Sequence, residues 1–222
     1  GKIWKEGIFK DGVLIEGKIY NENGIVRKEG IFKDGVLTED GVLIEGIINY
    51  KSGIVWKKGF FKDDKLNGEG IMFYENQQVM KEGIFKDDRL NGKGIWYYNN
   101  GTVFMKDNFK DDKLDGKGTR YYQNGNVWKK GTFKDGKLNG EGIVCYQNGK
   151  VCKEGNFKFG NLNGICKIYF ENGKILAEGK FYGRNKFNGK EYSRNGKLER
   201  EGILNYSYLE NGKIRIWEII RK

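Results

Sequence analysis

The string Phe-Lys-Asp returns at Phe9, Phe32, Phe61, Phe85, Phe109 and Phe133, with relatives at Phe157 and Phe181. The separations are 23, 29, 24, 24, 24, 24 and 24 residues. A chain self-similar at so short a period has no room in each unit for a core of its own, so units must bury apolar surface against their neighbours. The 29-residue step is a 24-residue unit with a five-residue near-duplication, in which Asp34-Gly35-Val36-Leu37 is followed by Asp40-Gly41-Val42-Leu43. A final degenerate copy puts Leu204 where the Phe would stand.

The content of the unit selects its secondary structure. Asn-Gly recurs between aromatic and β-branched runs at Asn23-Gly24, Asn100-Gly101, Asn124-Gly125, Asn148-Gly149, Asn172-Gly173, Asn195-Gly196 and Asn211-Gly212. That dipeptide predicts a two-residue type I′ hairpin turn, which needs positive φ at both central positions. At the other end each unit turns through Asp-Gly or Asp-Asp and continues as Leu-Asn-Gly, as at Leu66-Asn67-Gly68, Leu90-Asn91-Gly92 and Leu138-Asn139-Gly140. The 35 Gly make long helices costly, and the 14 Phe and 13 Tyr favour pleated, half-buried surfaces. Each unit therefore reads as a β-hairpin.

The pattern Gly-x-Phe-Lys-Asp-Gly-x-Leu-Asn-Gly-x-Gly followed by Tyr-Tyr-x-Asn-Gly resembles the MORN repeat, and Lys-Glu-Gly before the Phe matches the bacterial variant MORN-2. Departures are Ile15 and Ile44 for the first Gly of the pair, Cys166 for the second, Asp107 for the Gly before Phe, and Gln77-Gln78 for Asn-Gly. The resemblance and the period together predict an all-β fold: an elongated single-sheet hairpin solenoid of about eight units, some 75 Å long at about 4.8 Å per strand. The repeat array is expected over 1–206. Residues 207–222 are expected to form a C-terminal hairpin and capping strand, whose run Ile214–Ile220 would cover the last edge.

If every Asn-Gly turn has two residues, Tyr121 faces Trp128, and equivalent pairs are Phe73 with Met80, Tyr97 with Phe104, Cys145 with Cys152 and Tyr169 with Leu176. The opposite column is Tyr74, Tyr98, Tyr122, Tyr146 and Phe170 with Val79, Val103, Val127, Val151 and Ile175. That second column, extended by the Phe of each Phe-Lys-Asp, is the expected core because its residue types vary least among the copies. Trp56, Phe73, Tyr97, Phe104, Tyr121, Trp128 and Tyr169 then form a partly exposed stripe, the candidate partner-binding site, since exposed apolar stripes mark partners. The plainer alternative is an aromatic ladder that packs along the sheet.

The chain holds no His, which removes imidazole acid-base chemistry, Ser-His-Asp and Cys-His arrangements and zinc sites of the HExxH type. With 41 Lys and Arg against 30 Asp and Glu the formal charge is +11. Lys10, Lys33, Lys62, Lys86, Lys110, Lys134 and Lys158 form a basic row beside an acidic one of Asp11, Asp34, Asp63, Asp87, Asp111 and Asp135. The excess is traced to Lys57, Lys81, Lys129 and Lys153, available to anionic lipid or nucleic acid. The Asp-Asp turns lie nearly 10 Å apart, too far to share a calcium ion, so no metal or other cofactor is expected. Cys145 and Cys152 are a candidate disulfide or packed thiol pair, with reduced thiols favoured.

The leading functional expectation is a non-catalytic repeat scaffold for protein–protein interaction. The family resemblance implies an antitoxin-like component. The alternatives are a module bound to membrane or anionic lipid and, third, a cell-surface or carbohydrate-binding repeat protein. Nucleic acid ranks low among partners and oligomeric state is left open. A cytoplasmic location is expected, or secretion if a signal segment preceded Gly1. No apolar run reaches the roughly 18 residues that span a bilayer as a helix.

Overall fold

A computed structural model describes residues 4–32, 43–208 and 214–218. These residues are all-β, with eighteen strands and no helix among them. The chain divides into two compact units, Gly1–Lys113 and Leu114–Lys222. The first holds β1 (Trp4–Lys10), β2 (Val13–Tyr20), β3 (Val26–Phe32), β4 (Leu43–Asn49), β5 (Val55–Lys62), β6 (Lys65–Phe73), β7 (Val79–Lys86), β8 (Arg89–Tyr97) and β9 (Val103–Lys110). The second holds β10 (Lys113–Tyr121, whose first residue closes the first unit), β11 (Val127–Lys134), β12 (Lys137–Cys145), β13 (Val151–Lys158) and β14 (Asn161–Tyr169). It ends with β15 (Ile175–Tyr182), β16 (Lys186–Tyr192), β17 (Leu198–Tyr208) and β18 (Ile214–Glu218). Within each unit every strand pairs antiparallel with the next, so each is a meander of hairpins. The near-duplication at 34–43, apart from Leu43, and the Asn211-Gly212 turn lie outside the described residues. The boundary at 206/207 falls inside β17, whose Leu204 and Tyr206 pair with Glu218 and Ile216 of β18.

The two ends of each hairpin use different turns, and they exchange the roles expected from sequence. At Asp-Gly and Asp-Asp the loop has two residues, both with positive φ: 51° and 66° at Asp87-Asp88, 49° and 74° at Asp135-Gly136. This is the type I′ geometry. At Asn-Gly the loop has three residues. The Gly125 N–H donates to the Tyr122 carbonyl and the Tyr122 N–H to the Asn126 carbonyl, with only the Gly at positive φ. That is a type I turn closed by a left-handed residue. Asn is needed there for its side chain: Asn124 Oδ1 accepts from the Asn126 N–H at 3.0 Å, and its Nδ2 donates to the Gln147 carbonyl of the next unit at 2.9 Å. In the irregular copy, Asn76 and Gln77 take the Asn and Gly places, with Gln77 at φ 64°. Asn76-Gln77, rather than Gln77-Gln78, is therefore the substitute for Asn-Gly.

The third loop residue leaves a bulge after each turn. Register shifts between Arg120 and Tyr121, so Tyr121 pairs with Val127 and Arg120 with Lys129, while Trp128 is left over. The same shift pairs Phe73 with Val79, Tyr97 with Val103, Cys145 with Val151 and Tyr169 with Ile175. A one-residue slip moves side chains to the other face, so the expected pairs Tyr121–Trp128, Phe73–Met80, Tyr97–Phe104, Cys145–Cys152 and Tyr169–Leu176 do not form.

The core keeps the Phe of the expected column but not its valines. Its constant members are the Phe of Phe-Lys-Asp and the Leu of Leu-Asn-Gly, cross-strand partners such as Phe85 with Leu90, all buried from Phe61 through Phe181. Each contributes about 1.5–3 kcal/mol of burial. Val79, Val103, Val127, Val151 and Ile175 sit on the opposite face and are half-buried. Tyrosine hydroxyls bind one hairpin to the next: Tyr50 donates to the Phe73 carbonyl and Tyr74 to that of Tyr97, both at 2.8 Å, and Tyr122 donates to that of Cys145 at 2.9 Å.

Candidate binding surfaces

The same register lays a row of cross-strand partners over the core face of the first unit: Ile19, Lys28, Ile48, Lys57, Met72, Lys81 and Trp96. Apolar residues alternate with lysines, and the lysines are inside; Lys57 is 2% exposed. Burying an ammonium group is costly unless it is paired, and each is met by the second Asp of a later turn. Lys28 Nζ lies 2.7 Å from Asp64, Lys57 Nζ 2.6 Å from Asp88 and Lys81 Nζ 2.8 Å from Asp112. The other oxygen of Asp88 accepts the Leu66 N–H at 2.8 Å, and that of Asp112 the Leu90 N–H at 2.9 Å. Aromatic faces complete the sites, with Trp56 4.0 Å from Lys57 Nζ and Trp96 4.1 Å from Lys81 Nζ.

These pairs correct the charge analysis. Lys57 and Lys81 are buried structural cations, withdrawn from any surface field. In the second unit Lys129 and Lys153 occupy the same row, half-buried, with Arg120 beside Lys129. Burial, then the Arg120 charge, lowers the Lys129 pKa; burial pushes Lys153 down to about 8. The exposed rows remain where the sequence put them: Lys10, Lys62, Lys86, Lys110, Lys134 and Lys158 beside Asp11, Asp63, Asp87, Asp111 and Asp135. Lys33 and Asp34 lie outside the described residues.

The aromatic stripe is divided between faces. Trp56, Phe104 and Trp128 stand at the bulges and pack on core-face side chains: Trp128 lies 4.5 Å from the Arg120 guanidinium, and Phe104 4.8 Å from Tyr98 and 5.9 Å from Trp96. Phe73, Tyr97, Tyr121 and Tyr169 stand on the opposite face with the valines. All seven are half-buried. Tyr97 donates to Glu82 at 2.5 Å and Tyr169 to Glu154. Burial, reinforced by those carboxylates, pushes both phenols up to about 12. Tyr169 also lines a shallow cleft of about 480 Å³ with Lys150, Val151, Glu154 and Asn172.

Cys145, Cys152 and Cys166 are free and buried, and burial raises the pKa of each thiol. Thiolate chemistry is suppressed in such a setting. No cluster of three or more His, Cys, Asp or Glu that could hold a metal occurs among the described residues.

Sequence reasoning passed over one row altogether. The residue between Gly and Phe in each unit points away from the core, and in the first unit it is Ile8, Ile31, Phe60 and Ile84, exposed by 57, 47, 44 and 36%. In the next four copies it is Asn108, Thr132, Asn156 and Lys180, and in the final degenerate copy it is again apolar, Ile203, exposed by 57%. Aligning the copies at that position, with the strand alternation, would have revealed it.

Comparison with known families matches a model described as MORN repeat to residues 58–79, 82–103 and 130–151, and one described as MORN repeat variant to 114–135 and 162–182. A search of curated proteins found no match.

Proposed function

Starting from the fact that the chain is a MORN-repeat protein, a non-catalytic repeat type associated with protein and membrane binding, we propose that it is a scaffold that engages another protein. The observation that carries this reading is the exposed apolar row Ile8, Ile31, Phe60 and Ile84 on the face turned from the core. Exposed apolar groups that recur at one position on successive hairpins cost solubility and are retained where a partner covers them. Phe73 and Tyr97 stand on the same face but apart from the row, with the pairs Ile71–Glu82 and Ile95–Lys106 between. Absence of His, with thiols raised in pKa by burial, supports a role without catalysis.

Membrane binding through surface cations is the weaker reading, because Lys57 and Lys81 are taken up by Asp88 and Asp112. More narrowly, the scaffold acts as an antitoxin-like component, a reading supported by the family resemblance alone. The test is cross-linked capture of partners by the full chain, compared with an Ile31→Lys/Ile84→Lys variant of unchanged circular dichroism. Selective loss of a captured protein supports the scaffold. An identical set of captured proteins, or sedimentation with anionic vesicles in place of capture, refutes it.

A further inference from the structure

Resting on the scaffold reading, the geometry points to a specific class of partner: an amphipathic, basic α-helix that lies across the strands of the first unit, on the face opposite its core. Asn108, Thr132, Asn156 and Lys180 occupy the same repeat position as Ile8, Ile31, Phe60 and Ile84, and β9, β11, β13 and β15 form around them. Hairpin formation therefore places no apolar demand on that position, and four consecutive apolar residues there serve something other than folding.

Between the apolar residues stand glutamates. Glu16 is the cross-strand partner of both Ile8 and Ile31, and Glu45 of both Ile31 and Phe60. Glu69 pairs with Ile84, and all three glutamates are exposed. The row thus alternates apolar and acidic at every strand. Neighbouring strands are about 4.8 Å apart, so like residues recur every ~9.6 Å with a carboxylate about halfway.

A helix has the matching ruler. At 1.5 Å per residue, side chains seven apart lie about 10.5 Å apart on one stripe, and those three or four on lie about 5 Å along it. Apolar residues at i and i+7 with Lys or Arg at i+3 or i+4 would meet the apolar residues and the glutamates in turn. Four anchors span about 29 Å, or roughly 19 residues of helix. An extended strand fits poorly, since its same-side residues recur every ~6.6 Å. Charge acts only locally: Glu16, Glu45 and Glu69 stand within the row and favour a cationic side chain there, while the exposed Lys10, Lys62 and Lys86 lie two residues on along the same strands. No helix occurs among the described residues, so the proposed occupant is another protein and not a second copy of this chain.

The test uses a labelled helical peptide of about 20 residues, with Leu at i, i+7 and i+14 and Lys at i+3 and i+4 of each heptad, titrated with the full chain by fluorescence anisotropy. A peptide of the same composition with the Leu and Lys positions shuffled is the control. The expected result is binding that weakens with salt, falls about tenfold or more for Glu45→Lys, and is lost for Ile31→Lys/Ile84→Lys. Both variants substitute exposed side chains, and retained circular dichroism verifies their fold. Absence of binding, equal binding of the shuffled peptide, or variants within about twofold of the parent overturns the inference. If the peptide fails while the double variant still loses a cross-linked protein partner, the helix is wrong and the scaffold stands. If neither is seen, both fall.

Discussion

Asp88→Asn isolates the charge of a single buried ion pair. Asn keeps an oxygen for the Leu66 N–H, tolerates the φ of 66° and matches Asp in volume. What it removes is the carboxylate paired with Lys57 Nζ, which also meets the Asp64 carbonyl at 3.3 Å and the Trp56 ring at 4.0 Å. Breaking a buried pair by removal of one partner costs about 3–5 kcal/mol, since an uncompensated charge is left behind. The Asp88 side chain is 27% exposed and the Lys57 side chain 3%, so water reaches one side of the pair only, and the lower end, about 3 kcal/mol, is expected. Urea denaturation followed by Trp fluorescence measures the loss, and native-state hydrogen exchange locates it in β5 to β8. The internal control is Asp87→Asn, an exposed neighbour in the same turn, expected within about 0.5 kcal/mol of the parent. Replacing the pair together, as Lys57→Met with Asp88→Gly, should restore most of the stability. A loss below about 1 kcal/mol for Asp88→Asn, or an equal loss for Asp87→Asn, would refute the buried-pair reasoning.

Other predictions follow from the register and the ends. A Cβ on Gly83 would lie 2.4 Å from the Lys93 carbonyl oxygen and 2.5 Å from Gly94 Cα at φ +136°, so Gly83→Ala should cost more than about 3 kcal/mol in urea denaturation. Gly125→Ala, with nothing within 4 Å, should cost only about 1 kcal/mol. Tyr206 is fully buried against Phe181 at 5.4 Å and Phe187 at 6.2 Å, so Tyr206→Ala should cost about 3–5 kcal/mol and expose β16 and β17 to hydrogen exchange. Lys153→Met carries a pH signature. Below pH 8 the lysine is protonated folded and unfolded, and the burial penalty is full; between about 8 and 10.5 the folded chain loses the proton first, and stability of the parent rises with pH. The variant should therefore be more stable at pH 7, with an advantage in denaturation midpoint that shrinks toward pH 10; a constant difference would contradict this.

The hairpin and its period were legible because each is written in one unit: Asn-Gly, Leu-Asn-Gly and Phe-Lys-Asp all act over a few residues. Side-chain placement was not, because it hangs on a single loop residue. Reading Asn124-Gly125 as a two-residue turn put Tyr121 opposite Trp128, whereas the third residue and its bulge send Trp128 to the core face and leave Tyr121 with Val127. Every column inherited that parity error. The Lys–Asp pairs are a different failure, one of distance. Lys57 and Lys81 meet acids 31 residues on, and Lys28 one 36 residues on, across the unit that carries the near-duplication. The signal in the copies is mixed: Met105 goes with Gly136 31 residues later, but Lys129 and Lys153 keep the lysine with Gly160 and Arg184 at that spacing. Comparing copies does not reveal the pairs, since a lysine at this position occurs both with and without Asp 31 residues on.

The central claim, that binding uses the face opposite the core, is tested most directly by hydroxyl-radical footprinting of the full chain, free and with the helical peptide bound. Ile8, Ile31, Phe60 and Ile84 should be protected, with Trp56, Phe104 and Trp128 unchanged. Protection confined to those three core-face aromatics, with the isoleucines still reactive, would contradict it.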